Sequence, residues 1–436
     1  MPSRLIGSFA TTDDLAEVFS DHSVLAALLQ FETALARVQA RLEIIPATAA
    51  EVIARAAVVE GFDAAALARA ARKSASIAIP LVKALTRRVR EIDATSSRFV
   101  HWGATSQDVI DTAMVLLVGR AQTILAGDHA RLKQFLRALS DRHKGSVMLA
   151  RTLLQPAPPT TFGLKVAGWY GAIHRSWPFV EVLPLQFGGA SGTLASYGNQ
   201  GTALARELAS ELGLSACGAP WHVHRDRLAT LVTRCGLYTA ALGKMARDIS
   251  LLMQQEVGEV AEAGGGSSAM PNKQNPSGCA IALAAANRTP GLVSSFLSAM
   301  IQEHERAAGG WQAEWPIISS MIEATGSALA AMVATLEGLA VYPDRMRANL
   351  AATRGVVFAE KASMLLAPRL GREAAHILLV DAAREAVETG RPMSGILERA
   401  GLLSAEQLAD LDRPEDYLGS AEEFRRRLLE DNNAAD

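Results

Sequence analysis

Thirteen consecutive residues, Gly264-Gly265-Gly266-Ser267-Ser268-Ala269-Met270-Pro271-Asn272-Lys273-Gln274-Asn275-Pro276, combine three glycines, two hydroxyls, a cation and a carboxamide. Adjacent glycines give up helix propensity and add backbone freedom. Pro271 and Pro276 restrict how the run can fold back. The composition predicts a loop able to close, with a carboxylate held beside a proton-transfer group. A plain Gly/Ser linker is the competing reading, but linkers seldom carry Met-Pro and Lys-x-Asn-Pro together.

Two further runs carry chemistry. His101-Trp102-Gly103-Ala104-Thr105-Ser106-Gln107-Asp108 precedes a long proline-free stretch. Thr105 or Ser106 could simply cap the helix that follows. The same geometry offers hydroxyls and free N–H groups at a helix N-terminus, which is a carboxylate site. Arg151-Thr152-Leu153-Leu154-Gln155 is the second run. His222 and His224 form a His-x-His pair, but no carboxylate or thiolate cluster accompanies it, so no metal is expected.

The glycine-serine loop resembles the signature of the fumarase/aspartase superfamily, Gly-Ser-Ser-x-Met-Pro-x-Lys-x-Asn-Pro, at every fixed position. The resemblance implies that Ser267 is the catalytic base and that Lys273 and Asn275 hold substrate. It assigns Thr105, Ser106 and Gln107 to a substrate carboxylate. His101 stands where adenylosuccinate lyases of the superfamily also carry a histidine, and Arg306 where related lyases place a substrate arginine. A structural role for His101 and an ion pair for Arg306 are the alternatives. The run at 151–155 resembles the second motif, Arg-Thr-His-x-Gln, with Leu153 in place of the histidine and with Thr152 and Gln155 free to bind substrate.

Other runs narrow the resemblance to the branch that lactonises carboxylated muconates in aromatic catabolism. They are residues 158–165 and 185–192, Pro220-Trp221-His222, Arg225-Asp226-Arg227, residues 302–306 with Trp311 and Glu314-Trp315, and Asp416-Tyr417-Leu418-Gly419. Two departures lie in or beside the loop: Asn272 and Gln274 replace the His and Arg common in that branch, and the segment between Glu259 and Gly264 is short. In the implied reaction one carboxylate adds across a double bond to close a five-membered lactone. In reverse, a base removes the proton α to a second carboxylate and the lactone oxygen leaves as a carboxylate. A carboxylate leaves as a stable anion, so a general acid adds little, and Leu153 suits this chemistry. Hydroxide or amine departure would need that acid. The alternatives are a fumarate-releasing lyase of a substituted succinate, with nitrite as a leaving group that needs no proton, a cycloisomerase of a sulfonated muconate, and a non-catalytic homologue. Intact Ser267, Lys273 and Asn275 argue against the last.

The elements that must position these groups read as helices. Residues 22–43 carry Leu25, Leu28, Leu29, Leu35, Val38 and Leu42 at helical spacing. Alanine-rich helices are expected at 47–59 and at 63–72, the latter capped by Asp63, and another at 80–92. Long proline-free stretches at 107–143 and 226–262, with 277–301 and 316–340, predict a bundle of long helices with Pro290 as a kink. Short strands are expected to pair 147–149 with 183–187, and residues 188–192 form a loop. Shorter helices follow near 344–351, 357–367, 371–388 and 392–400.

The expected fold is all-α, with domains 1–105, 106–343 and 344–436. By resemblance, it is the fumarase/aspartase-like fold whose central bundle assembles into a homotetramer. Active sites would then combine the runs at 101–108, 151–155 and 264–276 from different subunits. The 436 residues carry 43 basic and 45 acidic side chains, a net charge of −2, so neither nucleic acid nor an anionic membrane is an expected partner. A small polycarboxylate is the expected partner, and local cations must gather it. No cofactor is implied. Cys217, Cys235 and Cys279 are odd in number and unevenly spaced, which fits a reducing compartment. The first twenty residues lack an apolar run, and no stretch of some eighteen uninterrupted apolar residues occurs, so a cytoplasmic protein is expected.

Overall fold

A computed structural model describes residues 5, 7–179, 181–266, 270 and 273–430. Helices dominate, as the 3.6-residue spacing of apolar side chains requires. Asp21–Arg41 forms the first long one, with Ser20 accepting the Ser23 N–H at its start, and it buries Leu25, Leu28, Leu35 and Val38. Ala47–Ala56, Ala64–Ala71 and Ala78–Ile92 follow. Asp63 caps the second of these through the Ala66 N–H, as its position predicts.

Four long helices then carry the middle of the chain: Ser106–Arg142, Asp226–Leu252, Ser277–Ala299 and Gly310–Glu337. The second stops well short of residue 262. The chain turns after Leu252, passes Gly258 at φ 59° and enters a two-residue strand, Val260–Ala261, paired with Ala340–Val341. Pro290 lies inside its helix. Two of these helices, Ser106–Arg142 and Gly310–Glu337, are long and apolar enough to span a membrane by composition. Their most apolar windows are 61% and 67% buried inside the protein, as core helices are.

The expected pairing of 147–149 with 183–187 is wrong. Val147–Thr152 pairs antiparallel with Gln155–Thr161, a strand rich in proline. Proline donates no ladder hydrogen bond, so such a strand sits at a sheet edge. Residues 183–187 are extended and their Leu183, Leu185 and Phe187 are buried. Their hydrogen bonds go elsewhere: Leu185 donates to the Ser215 carbonyl at 3.0 Å and accepts from Trp221 Nε1 at 3.2 Å.

The chain divides into two compact units, each built from three separate segments. One comprises 1–129, 176–242 and 281–330; the other comprises 130–175, 243–280 and 331–436. Within the second unit, helices Ala359–Leu370, Arg372–Thr389 and Met393–Arg399 enclose a cluster that includes Phe358, Leu366, Leu379 and Leu397. There too, the last helix, Ala421–Leu429, packs on Phe162–Arg175, and Arg425 binds Asp141 at 2.6 Å.

Candidate active site

In the first unit the site is built at the N-terminus of helix Ser106–Arg142. Asp108 folds back to accept the Thr105 N–H at 3.1 Å, one half of a capping box. Thr105 directs its hydroxyl elsewhere: Oγ1 accepts a hydrogen bond from Arg306 Nη1 at 3.0 Å. The other terminal nitrogen of Arg306 donates to the carbonyls of Ala190 at 2.9 Å and Gly189 at 3.4 Å. A guanidinium therefore lies beside the amides of a helix start, the elements of a carboxylate site. Ser106 opens the helix and is partly exposed.

Gln107 is fully buried. Its amide nitrogen donates to the His222 carbonyl at 2.7 Å and to Asp111 at 3.1 Å. Its Oε1 is buried and accepts nothing among the described residues. His101 lies at φ 57°, and its Nδ1 is 2.7 Å from the Glu32 carboxylate, which is 1% exposed. Burial pulls the His101 imidazole down, but the adjacent Glu32 carboxylate outweighs it and leaves the pKa above the ordinary 6.5.

A buried polar network, unseen in the sequence, holds this helix start. Asp108 accepts from the Gly188 and Gly189 amides, both at 2.9 Å, and lies 2.8 Å from His222 Nε2. One carboxylate thus joins the helix start, the 188–192 loop and the 220–222 segment. A Cβ at Gly188 would come within 2.7 Å of His222 and Pro220, so only glycine fits there. Next to it, Arg225 is sandwiched between Asp111 and Glu314, each at 2.7 Å at closest, while Trp311 Nε1 donates to Asp111 at 2.9 Å. Gln302 Nε2 reaches Glu314 at 2.7 Å, which anchors the segment leading to Arg306. Among the described residues no cluster of three potential metal ligands occurs.

In the second unit the other run forms the tip of a hairpin. Thr152 faces Gln155, and the two residues between them, Leu153 and Leu154, have φ of 49° and 65°. Both central positions of a type I′ turn require positive φ, where Asn-Gly is the preferred pair. Leucine is costly at both, and these two are 97% and 78% exposed. Among the described residues Leu153 therefore walls no pocket. Thr152 and Gln155 are also exposed. Arg151 is engaged within the chain: its guanidinium makes two hydrogen bonds, 2.7 and 3.1 Å, to the fully buried Glu259, which also accepts from Asn349 at 2.8 Å.

Ser267, Asn272 and the other tip residues of the signature loop at 268, 269 and 271 lie outside the described residues. The flanks of that loop are described. The Asn275 N–H donates to the Gly265 carbonyl at 2.8 Å, and Gly266 and Gln274 form an antiparallel bridge. Lys273 is exposed, and its N–H donates to the Met270 carbonyl at 3.1 Å. So Thr105, Ser106, Gln107, His101 and Arg306 belong to one unit, and Thr152, Gln155, Lys273 and Asn275 to the other.

This helical architecture with its signature loop defines a class. Residues 7–291 match the lyase family and residues 355–428 match the adenylosuccinate lyase C-terminus, and the chain belongs to that lyase family. Over 99% of its length it is 45% identical to a 3-carboxy-cis,cis-muconate cycloisomerase of Pseudomonas aeruginosa, covering 97% of that protein. The crystal structure of the 3-carboxy-cis,cis-muconate lactonizing enzyme of Pseudomonas putida superposes with a TM-score of 0.91 at 40% identity, covering 98% of this chain and 99% of that one. A nitrosuccinate lyase of Streptomyces davaonensis is 41% identical over 92% of this chain and 89% of its own.

Proposed function

We propose that this chain interconverts 3-carboxy-cis,cis-muconate and its carboxymuconolactone, an intramolecular lyase step of the protocatechuate branch of the β-ketoadipate pathway, in the cytoplasm and without a cofactor. Ser267 removes or delivers the α-proton. Lys273, Asn275 and the Thr105–Arg306 pair stabilise the charge that develops on the retained carboxylate in an enediolate-like intermediate. Ser106, Gln107, His101, Thr152 and Gln155 complete the pocket. The observation that carries this reading over an amine-releasing one is the pair Leu153-Leu154 at the hairpin tip. No proton donor stands there, and a departing carboxylate needs none.

The active unit in this reading is a homotetramer, and each site takes one run from each of three subunits. Support comes from the exposed Leu153 and Leu154, which a neighbouring copy would cover. We also retain three domains, 1–105, 106–343 and 344–436, as the functional division of the chain.

The test follows the ultraviolet absorbance of 3-carboxy-cis,cis-muconate and, in parallel, fumarate release from nitrosuccinate and amino-substituted succinates. Turnover of the muconate is expected, and Ser267→Ala is expected to remove most of it while preserving fold and assembly. Leu153→His should bring no gain in lactonisation. A gain of ~10²–10⁴-fold in fumarate release, with negligible lactonisation in the parent, would reassign the enzyme.

A further inference from the structure

The signature loop ends on Pro276, which directly precedes helix Ser277–Ala299. The first amides of a helix need acceptors, commonly from the side chain at that preceding position. Proline has none to offer. The acceptor comes instead from the other end of the loop. Glu262, 5% exposed, accepts the Gly278 N–H at 3.0 Å on one oxygen and the Cys279 N–H at 3.1 Å on the other. A carboxylate here also suits the positive end of the helix. Glu262 is itself fixed, because it directly follows strand Val260–Ala261 and its partner Ala340–Val341.

Three contacts are therefore nested. Glu262 meets 278 and 279, then Gly265 meets Asn275, then Gly266 meets Gln274. The stem has no room for a larger residue at two of its glycines. Gly265 lies at φ +73°, and a Cβ there would stand 2.0 Å from the Asn275 carbonyl oxygen. On the outer side, a Cβ at Gly278 would stand 2.2 Å from Thr335 Oγ1 and 3.3 Å from Glu262 Oε2.

We propose that Glu262 is a positioning residue for the reaction: its carboxylate latches the two ends of the signature loop and so sets where Lys273 and Asn275 meet the substrate. The proposal rests on the reading above that Lys273 and Asn275 hold the substrate. Glu262 itself touches no reacting atom. Glu262→Gln keeps one acceptor and turns an NH₂ toward the other amide, so its effect falls between those of the parent and Glu262→Ala.

The experiment uses the full-length chain and four variants: Glu262→Ala, Glu262→Gln, Gly278→Ala, and Leu379→Ala as a control in the separate cluster around Phe358 and Leu366. Hydrogen exchange of the peptide spanning 273–280 is read first, because it needs no substrate. It is expected to rise about tenfold in Glu262→Ala. Steady-state kinetics on 3-carboxy-cis,cis-muconate come second. Here kcat should fall about 10²-fold in Glu262→Ala and Gly278→Ala with little change in KM, as for a catalytic group misplaced by about 1 Å. Leu379→Ala should lose Tm but keep kcat. Unchanged exchange in Glu262→Ala would overturn the latch. A kcat loss in Leu379→Ala equal to that of Glu262→Ala would reduce it to general stability. A parent inactive on the muconate, with exchange still responding, would fell the substrate reading and leave the latch standing.

Discussion

Arg306 shows what a single side chain can do at this site. Its three hydrogen bonds to Thr105, Gly189 and Ala190 use a planar fork that an ammonium cannot reproduce. Arg306→Lys keeps the charge and loses the geometry. We expect kcat/KM to fall roughly 10–100-fold, the worth of one lost charge-assisted hydrogen bond. The loss should appear mainly in kcat, since the pair stabilises charge that develops only in the intermediate, and steady-state kinetics check it. The sequence singles out residues of this kind because the family's motifs place particular side-chain types in a fixed local order. Asp108, His222, Arg225, Glu259 and Glu262 are not legible in that way. Their partners lie far along the chain, as His222 does from Asp108, and a buried acid looks like any surface acid until its donors are placed.

The contact between His101 and Glu32 ties the turn at 101–103 to helix Asp21–Arg41. With its pKa raised, His101 contributes stability that is fully present below 6.5 and is lost as pH rises through the raised value. Removing the carboxylate in Glu32→Gln leaves burial as the dominant influence, which lowers the pKa instead. The slope should then reverse, with the variant losing stability as pH falls. Urea midpoints from about pH 6 to 8 for both proteins measure this, and parallel slopes would exclude the pair as the source.

Among elements, the Leu153-Leu154 hairpin is the clearest case of local preference overridden. Each leucine at positive φ costs about 1–2 kcal/mol. Replacing the pair by Asn-Gly is expected to relieve that strain within the chain, to weaken assembly by a similar amount and to lower kcat/KM, since the apolar tip is lost. Thermal unfolding, sedimentation and kinetics on one preparation check these outcomes. The same tip explains why the strand pairing was misread. Two leucines give no turn signal, and Pro156, Pro158 and Pro159 make the return strand look like a loop. Helix Asp226–Leu252 was overextended because residues 253–262 contain no proline to stop it. Gly258 and the buried Glu259 end the pattern through tertiary contacts. Helices Ser106–Arg142 and Ser277–Ala299, by contrast, match their expected ranges to within about two residues at each end, because their apolar spacing runs over many turns.

For the whole molecule, dilution is the informative variable. If the hairpin tips are covered by neighbouring copies, activity and assembly should be lost together as the protein is diluted. Sedimentation alongside activity measures this, and a stable, fully active monomer would contradict the shared-site reading.

The packing of helix Ala421–Leu429 on Phe162–Arg175 has a consequence for synthesis on the ribosome. The helix at 162–175 emerges early, but the helix that packs on it is made roughly 250 residues later. At about 5–20 residues per second, Phe162, Tyr170 and their neighbours wait roughly 10–50 s for Arg425 and Leu429. A nascent chain stalled before residue 421 should therefore hold chaperones, and release them only when helix Ala421–Leu429 clears the exit tunnel.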